Sequence, residues 1–171
     1  LAQSVENAGT IVGRVALAGG ADSYYELVGE SNAYGARFVD LGSGDDVATF
    51  DLSSRTGFTN MDVAGGTGDD RVAITHIGAG ERVRFNTFSG IETLDLVGDG
   101  AGSSLEIDRN GQTADDIRVS GGLKLILPSN VFSSAVNTGP ATGTVHLDGG
   151  TLSIGPTTAF AAIFGSALAD R

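Results

Sequence analysis

A short apolar strand ending in a glycine-rich corner that carries aspartate recurs six times along this chain. The copies run Val15 to Asp22 (VALAGGAD), Val39 to Asp46 (VDLGSGDD), Met61 to Asp70 (MDVAGGTGDD), Leu94 to Gly100 (LDLVGDG), Ile117 to Gly122 (IRVSGG) and Val145 to Gly150 (VHLDGG). The apolar residues just before the corners are Leu17, Leu41, Val63, Leu96, Val119 and Leu147, spaced by 24, 22, 33, 23 and 28 positions. A base period in the low twenties, built from strands, is the mark of a solenoid. It predicts an all-β, parallel β-solenoid of about six coils of 22–24 residues, with those six apolar residues stacked inside, one per coil. At about 4.8 Å per coil the rod would be roughly 30 Å long.

Between corners the residues alternate apolar and polar, as in Thr10 to Leu17 (TIVGRVAL), Ile91 to Leu96 (IETLDL) and Ser104 to Ile107 (SLEI). That is the period of a strand with one face inward and one face wet. Glycine pairs and Gly-Asp steps supply the backbone conformations that a corner needs. The 27 glycines follow no Gly-X-Y period, which excludes collagen. The 33-residue interval places about ten extra residues at Thr75 to Gly90, read as an insertion near 75–90: a loop or hairpin leaving the solenoid, or a wide corner. Leu127 to Thr144, with Pro128 and Pro140, reads as a long turn, because proline cannot donate to a ladder. The tail from Thr157 to Asp170 suits a short amphipathic helix or a final strand, either of which could cap the solenoid.

Charge narrows the partners. With 21 acidic against 10 basic residues, a net charge of −11 and a single lysine (Lys124), nucleic acid and anionic membrane are poor partners. A divalent cation is the partner that acidic corners could attract. Cysteine is absent, which fits a protein exported unfolded and stabilised by its repeating core. No apolar run reaches 18 residues, and the chain opens at Leu1 without a signal-peptide pattern. These features suggest a mature piece or fragment of a longer exported protein, with residues 1–171 forming one solenoid domain.

Chemistry-bearing motifs are few. Gly65 to Ala73 (GGTGDDRVA) fits the calcium nonapeptide GGxGxDxUx at every fixed position, and Leu41 to Thr49 lacks only the first glycine. Glycines let carbonyls converge while aspartate adds a hard oxygen ligand, so Gly66, Gly68, Asp46 and Asp70 are the candidate calcium residues. Tandem nonapeptides normally complete such a cage, whereas Asp46 and Asp70 lie 24 residues apart. Two readings therefore stand, a calcium corner and a glycine corner with solvated aspartates; no cofactor is required by the second. The paired carboxylates Asp45-Asp46, Asp69-Asp70 and Asp115-Asp116 raise the idea of glycoside cleavage. Adjacent strand residues face opposite ways, so a pair in sequence is not a pair in space. His76 and His146 are isolated and read as strand-surface residues, and no nucleophile–base motif is present. The expectation is no enzymatic activity.

Three stretches carry a family resemblance. Asn7 to Asp22 (NAGTIVGRVALAGGAD) resembles the coil N-x-G-x-I-x-G-x-V-x-L-x-G-G-x-D of autotransporter passenger domains. Phe88 to Leu96 (FSGIETLDL) is similar to a strand shared by passengers and calcium-repeat, RTX-like exoproteins, and Leu147 to Gly155 (LDGGTLSIG) to a coil near the end of many passengers. The resemblance covers about a quarter of the chain. It implies a right-handed parallel β-helix exported across a Gram-negative outer membrane by a β-barrel translocator in the parent chain, and it transfers no catalytic residue.

The resulting expectation is a structural or adhesive stalk at the cell surface or secreted. Its partner would be a ligand on a host or neighbouring cell, or another copy of itself. The alternatives are a calcium-stabilised module of an RTX-like exoprotein and an extracellular polysaccharide-acting β-helix enzyme.

Overall fold

The computed structural model describes residues 1–9, 11, 13–29, 38–55, 57–107, 114–127, 144–154 and 162–165. Their strands alternate between two sheets. One contains β1 (Ser4–Asn7), β3 (Ser23–Leu27), β5 (Val47–Asp51), β7 (Arg71–Ile77), β9 (Thr93–Gly98), β11 (Asp116–Ser120), β13 (Thr144–Leu147) and β15 (Ala162–Phe164), paired in that order. The other contains β2 (Arg14–Ala16), β4 (Phe38–Ser43), β6 (Phe58–Thr67), β8 (Glu81–Ser89), β10 (Ser104–Ile107), β12 (Lys124–Leu127) and β14 (Thr151–Ile154). Every pairing is parallel, so the chain is a parallel β-solenoid giving one strand to each sheet per turn. No described residue is helical.

The inward residues of both sheets meet in one hydrophobic core running from Leu17 to Leu147. Strict alternation makes this possible: in β5, Ala48 and Phe50 are buried while Val47, Thr49 and Asp51 face out. All six corner residues named from the sequence are buried, at 0–7% exposure. They do not form a single stack. Leu41 and Val63 belong to the seven-stranded sheet and Leu17 follows its strand β2, whereas Leu96, Val119 and Leu147 belong to the eight-stranded sheet. The repeats that do stack are Val39–Val63–Phe88 on one side and Ile74–Leu96–Val119–Leu147 on the other.

That assignment removes the expected insertion. The interval from Val63 to Leu96 is long because it crosses from one sheet to the other. Thr75 to Gly90 holds the end of β7, a tight turn and all of β8, which pairs with both β6 and β10. The real irregularities are smaller. β8 carries one extra residue at Asn86, because Met61 pairs with Phe85 and Asp62 with Thr87. β7 carries another before Ile77, which pairs with Gly98 while Ile74 pairs with Leu96. The coil count also differs slightly from the six expected: among the described residues the sheets hold eight and seven strands. Of the predicted long turn, 128–143 lie outside the described residues, as does most of the tail; within the tail, Ala162–Phe164 is a strand.

Glycine is obligatory where successive corners touch. A Cβ on Gly66 (φ 112°) would collide with the carbonyl oxygen of Gly42, and one on Gly44 (φ 128°) with that of Gly20. Backbone replaces side chain there, and the positive φ excludes most other residues independently.

Candidate functional site

The corner aspartates resolve into an inner and an outer set. Asp22, Asp46 and Asp70 point inward and are 3%, 0% and 0% exposed. Each presents Oδ1 to the amide of its counterpart one coil earlier. The amide of Gln3 donates to Asp22 (2.6 Å), that of Asp22 to Asp46 (2.6 Å) and that of Asp46 to Asp70 (3.0 Å). Glu92 takes the next position, its Oε2 accepting from the Asp70 amide at 2.7 Å. The outer members of the pairs behave differently: Asp69 and Asp45 are exposed, linked by the Asp69 amide donating to Asp45 at 3.0 Å. Two of the three sequence pairs, Asp45-Asp46 and Asp69-Asp70, are thus divided between interior and surface, as alternation requires, whereas Asp115 is exposed and Asp116 half-buried on the outer face.

The column is electrostatically costly. The Oδ2 atoms of Asp22, Asp46 and Asp70 are buried without a hydrogen-bond partner. Burial pushes the Asp70 carboxyl up to about 6; the charges of Asp46, Glu92 and Asp45 push the same way, against the stabilising Asp46 amide. Arg71, next in sequence, points outward to pair with Asp95. Of the candidate calcium residues, Asp46 and Asp70 share this column, while Gly66 and Gly68 lie in the exposed corner beside it, pressed against the Gly42 and Gly44 carbonyls. Among the described residues no three His, Asp or Glu side chains gather as a metal cage.

The outer face of the eight-stranded sheet carries the second concentration of chemistry, and both histidines lie there. His76 sits at the β7 irregularity with φ 55°, the one positive φ outside glycine among the described residues. Its Nδ1 is 3.2 Å from Asp99 Oδ1 and its Nε2 is 3.9 Å from Asp51 Oδ2. Asp51 also accepts from the Tyr25 hydroxyl at 2.8 Å and the Ser53 amide at 2.8 Å. Burial acts to raise the Asp51 carboxyl, but Ser53, Tyr25 and His76 together hold it below its ordinary value. The Tyr25 hydroxyl is raised in turn, chiefly because its hydrogen bond to Asp51 favours the protonated phenol. Tyr25, Asp51, His76 and Asp99 therefore form a line of polar contacts across successive coils.

Further along the same face, Asp95, Arg118 and His146 occupy one register column across β9, β11 and β13. Arg71 pairs with Asp95 from the preceding coil, and Asp116 receives Arg118 Nε at 2.9 Å with His146 Nε2 at 3.1 Å. Asp95, Arg118, Val119, Ser120, His146 and Asp148 line a surface recess of about 390 Å³. Reading the histidines as isolated missed both groupings. The available signal was one-coil spacing: Asp51, His76 and Asp99 are separated by 25 and 23 positions, and Asp95 and Arg118 by 23. It becomes readable only once each residue is assigned to the correct sheet.

Such a surface offers hydrogen-bond donors and acceptors to a polar ligand. No protein-family model matches the chain, and neither a curated protein nor a solved structure matches it.

Proposed function

We propose that this chain is a structural and adhesive stalk, a passenger-type β-helix of a secreted or surface-displayed bacterial protein. The observation that supports this reading is the continuous succession of parallel strands. Two parallel sheets share one apolar core from Leu17 to Leu147, leaving the outward faces free to carry recognition without cost to the fold. Parallel stacking commits backbone amides to neighbouring coils, which resists proteolysis. The partner is a ligand on a host or neighbouring cell, or another copy of the chain, and a β-barrel translocator belongs to the parent protein. Beads coated with the purified chain should adhere to cells or to one another. The same preparation should hydrolyse no polysaccharide, ester or peptide. Inert beads, or turnover abolished by Asp95→Asn with the fold intact, would reverse the reading.

A calcium-stabilised RTX-like module is the second reading, favoured by the buried, unpartnered Oδ2 atoms of Asp46 and Asp70. Bound calcium would neutralise that column and stiffen the corner. A rise in melting temperature with calcium but not magnesium, lost in Asp70→Ala, would put this reading first.

A further inference from the structure

We infer that the recess on the outer face of the eight-stranded sheet is a binding site for an uncharged saccharide. This deepens the adhesive reading by naming a ligand class and a place for it. The recess is walled by the register column of Asp95, Arg118 and His146, and Ser120 and Asp148 also line it. Its volume of about 390 Å³ falls in the range of small-molecule sites, which run from about 300 to 1,000 Å³. Asp95 is only 7% exposed, so part of the polar lining is already desolvated and fixed before any ligand arrives.

The charge arrangement selects the ligand. Arg71 answers Asp95, and Asp116 answers both Arg118 and His146, so the cations at the recess already have carboxylate partners. An anionic ligand would have to displace those partners and approach Asp148 on a chain of net charge −11. A metal ion finds no cage of three ligating side chains among the described residues. A neutral, hydroxyl-rich molecule meets neither obstacle. Its hydroxyls donate to Asp95 and Asp148, accept from Arg118 and His146, and do both with Ser120. No aromatic side chain lines the recess, so affinity rests on hydrogen bonds alone and is weak at one copy. Many copies on one surface would raise it by avidity.

The purified chain is to be tested on an array of neutral and acidic oligosaccharides, then by saturation-transfer NMR with lactose against 3′-sialyllactose, a pair differing by one acidic sugar. Binding to neutral glycans is expected, with the acidic partner bound less well. Ser120→Tyr fills the recess from an outward strand position that tolerates an aromatic, and Asp148→Ala removes an exposed acceptor. Each should weaken binding at least about tenfold while circular dichroism and melting temperature stay as in the parent. Absence of any neutral glycan hit, stronger binding of the acidic sugar, or full binding by folded Asp148→Ala would overturn the inference. Full glycan binding by folded Ser120→Tyr would sink the saccharide site, and bead adhesion by that same variant would leave the stalk reading standing. Glycan binding by the chain without bead adhesion would do the reverse.

Discussion

Aspartate serves two regions of this molecule in opposite ways. Inside the corner, Asp46 and Asp70 are fully buried; one oxygen of each holds the amide of the coil before, and the other oxygen has no partner. On the outer face, Asp51 is surrounded by donors, from the Ser53 amide to the Tyr25 hydroxyl, with His76 beside it. Burial raises Asp70, whereas donors hold Asp51 low despite a burial contribution of the opposite sign. The difference shows that position on the coil, and not residue type, decides whether a carboxylate stabilises this fold or strains it.

The strongest way to break that comparison is to place a carboxylate inside where no amide awaits it. Val63 is as buried as Asp46 but faces the apolar core, so Val63→Asp should cost at least about 3–5 kcal/mol and unfold much of the population. Urea denaturation followed by circular dichroism measures it. A folded variant of near-parent stability would mean that the core admits water.

Acidity sharpens the comparison at the next scale. Asp70 has a folded value of about 6 against an ordinary 3.8, so the folded state binds its proton more tightly than the unfolded chain does. The stability this contributes is complete below about 3.8 and is lost as pH rises through about 6, a difference of about 2–3 kcal/mol. Asp51 has the opposite sign: its contribution is present above its ordinary value and disappears as pH falls through its lowered folded value. Stability should therefore peak between those limits, near pH 4–5, and decline toward pH 7. Asp70→Asn should reduce the decline, because the amide oxygen still accepts from Asp46 without a charge; buried Glu81, also raised, keeps a contribution of the same sign. Denaturation midpoints at pH 5 and pH 7.5 test this, and a parent protein more stable at pH 7.5 would refute it.

The smallest effect belongs to the outer face. Tyr25→Phe removes one donor from a partly exposed carboxylate, and should lower stability by no more than about 1 kcal/mol while letting the Asp51 carboxyl titrate at higher pH. NMR titration of Asp51 reads that shift directly; an unchanged curve would mean that Ser53 and His76 hold the group without the tyrosine.

Much of the architecture is legible in the sequence. Alternation in segments such as Ile91 to Leu96 placed strands, and the Gly-Asp steps placed corners, because both follow from local backbone sterics and the two-residue period of a strand. Sheet membership was not legible. The corners after Val63 and Leu96 have the same form, apolar residue then glycine, although they lie on opposite sheets. The single extra residues at Asn86 and before Ile77 then shift the phase without any glycine or proline to announce them. The candidate sites suffered from the same gap, since Asp95, Arg118 and His146 become neighbours only when three coils are in register.

By itself, then, the sequence determined a parallel β-solenoid with apolar corners buried and glycine at the close approaches, because those properties depend on each residue and its immediate neighbours. The tertiary structure alone decided that Asp46 and Asp70 turn inward while Asp45 and Asp69 stay out, which histidine meets which acid, and where the outer face opens into a recess. Those outcomes depend on register between residues more than twenty positions apart, and register is set by the packing of whole coils.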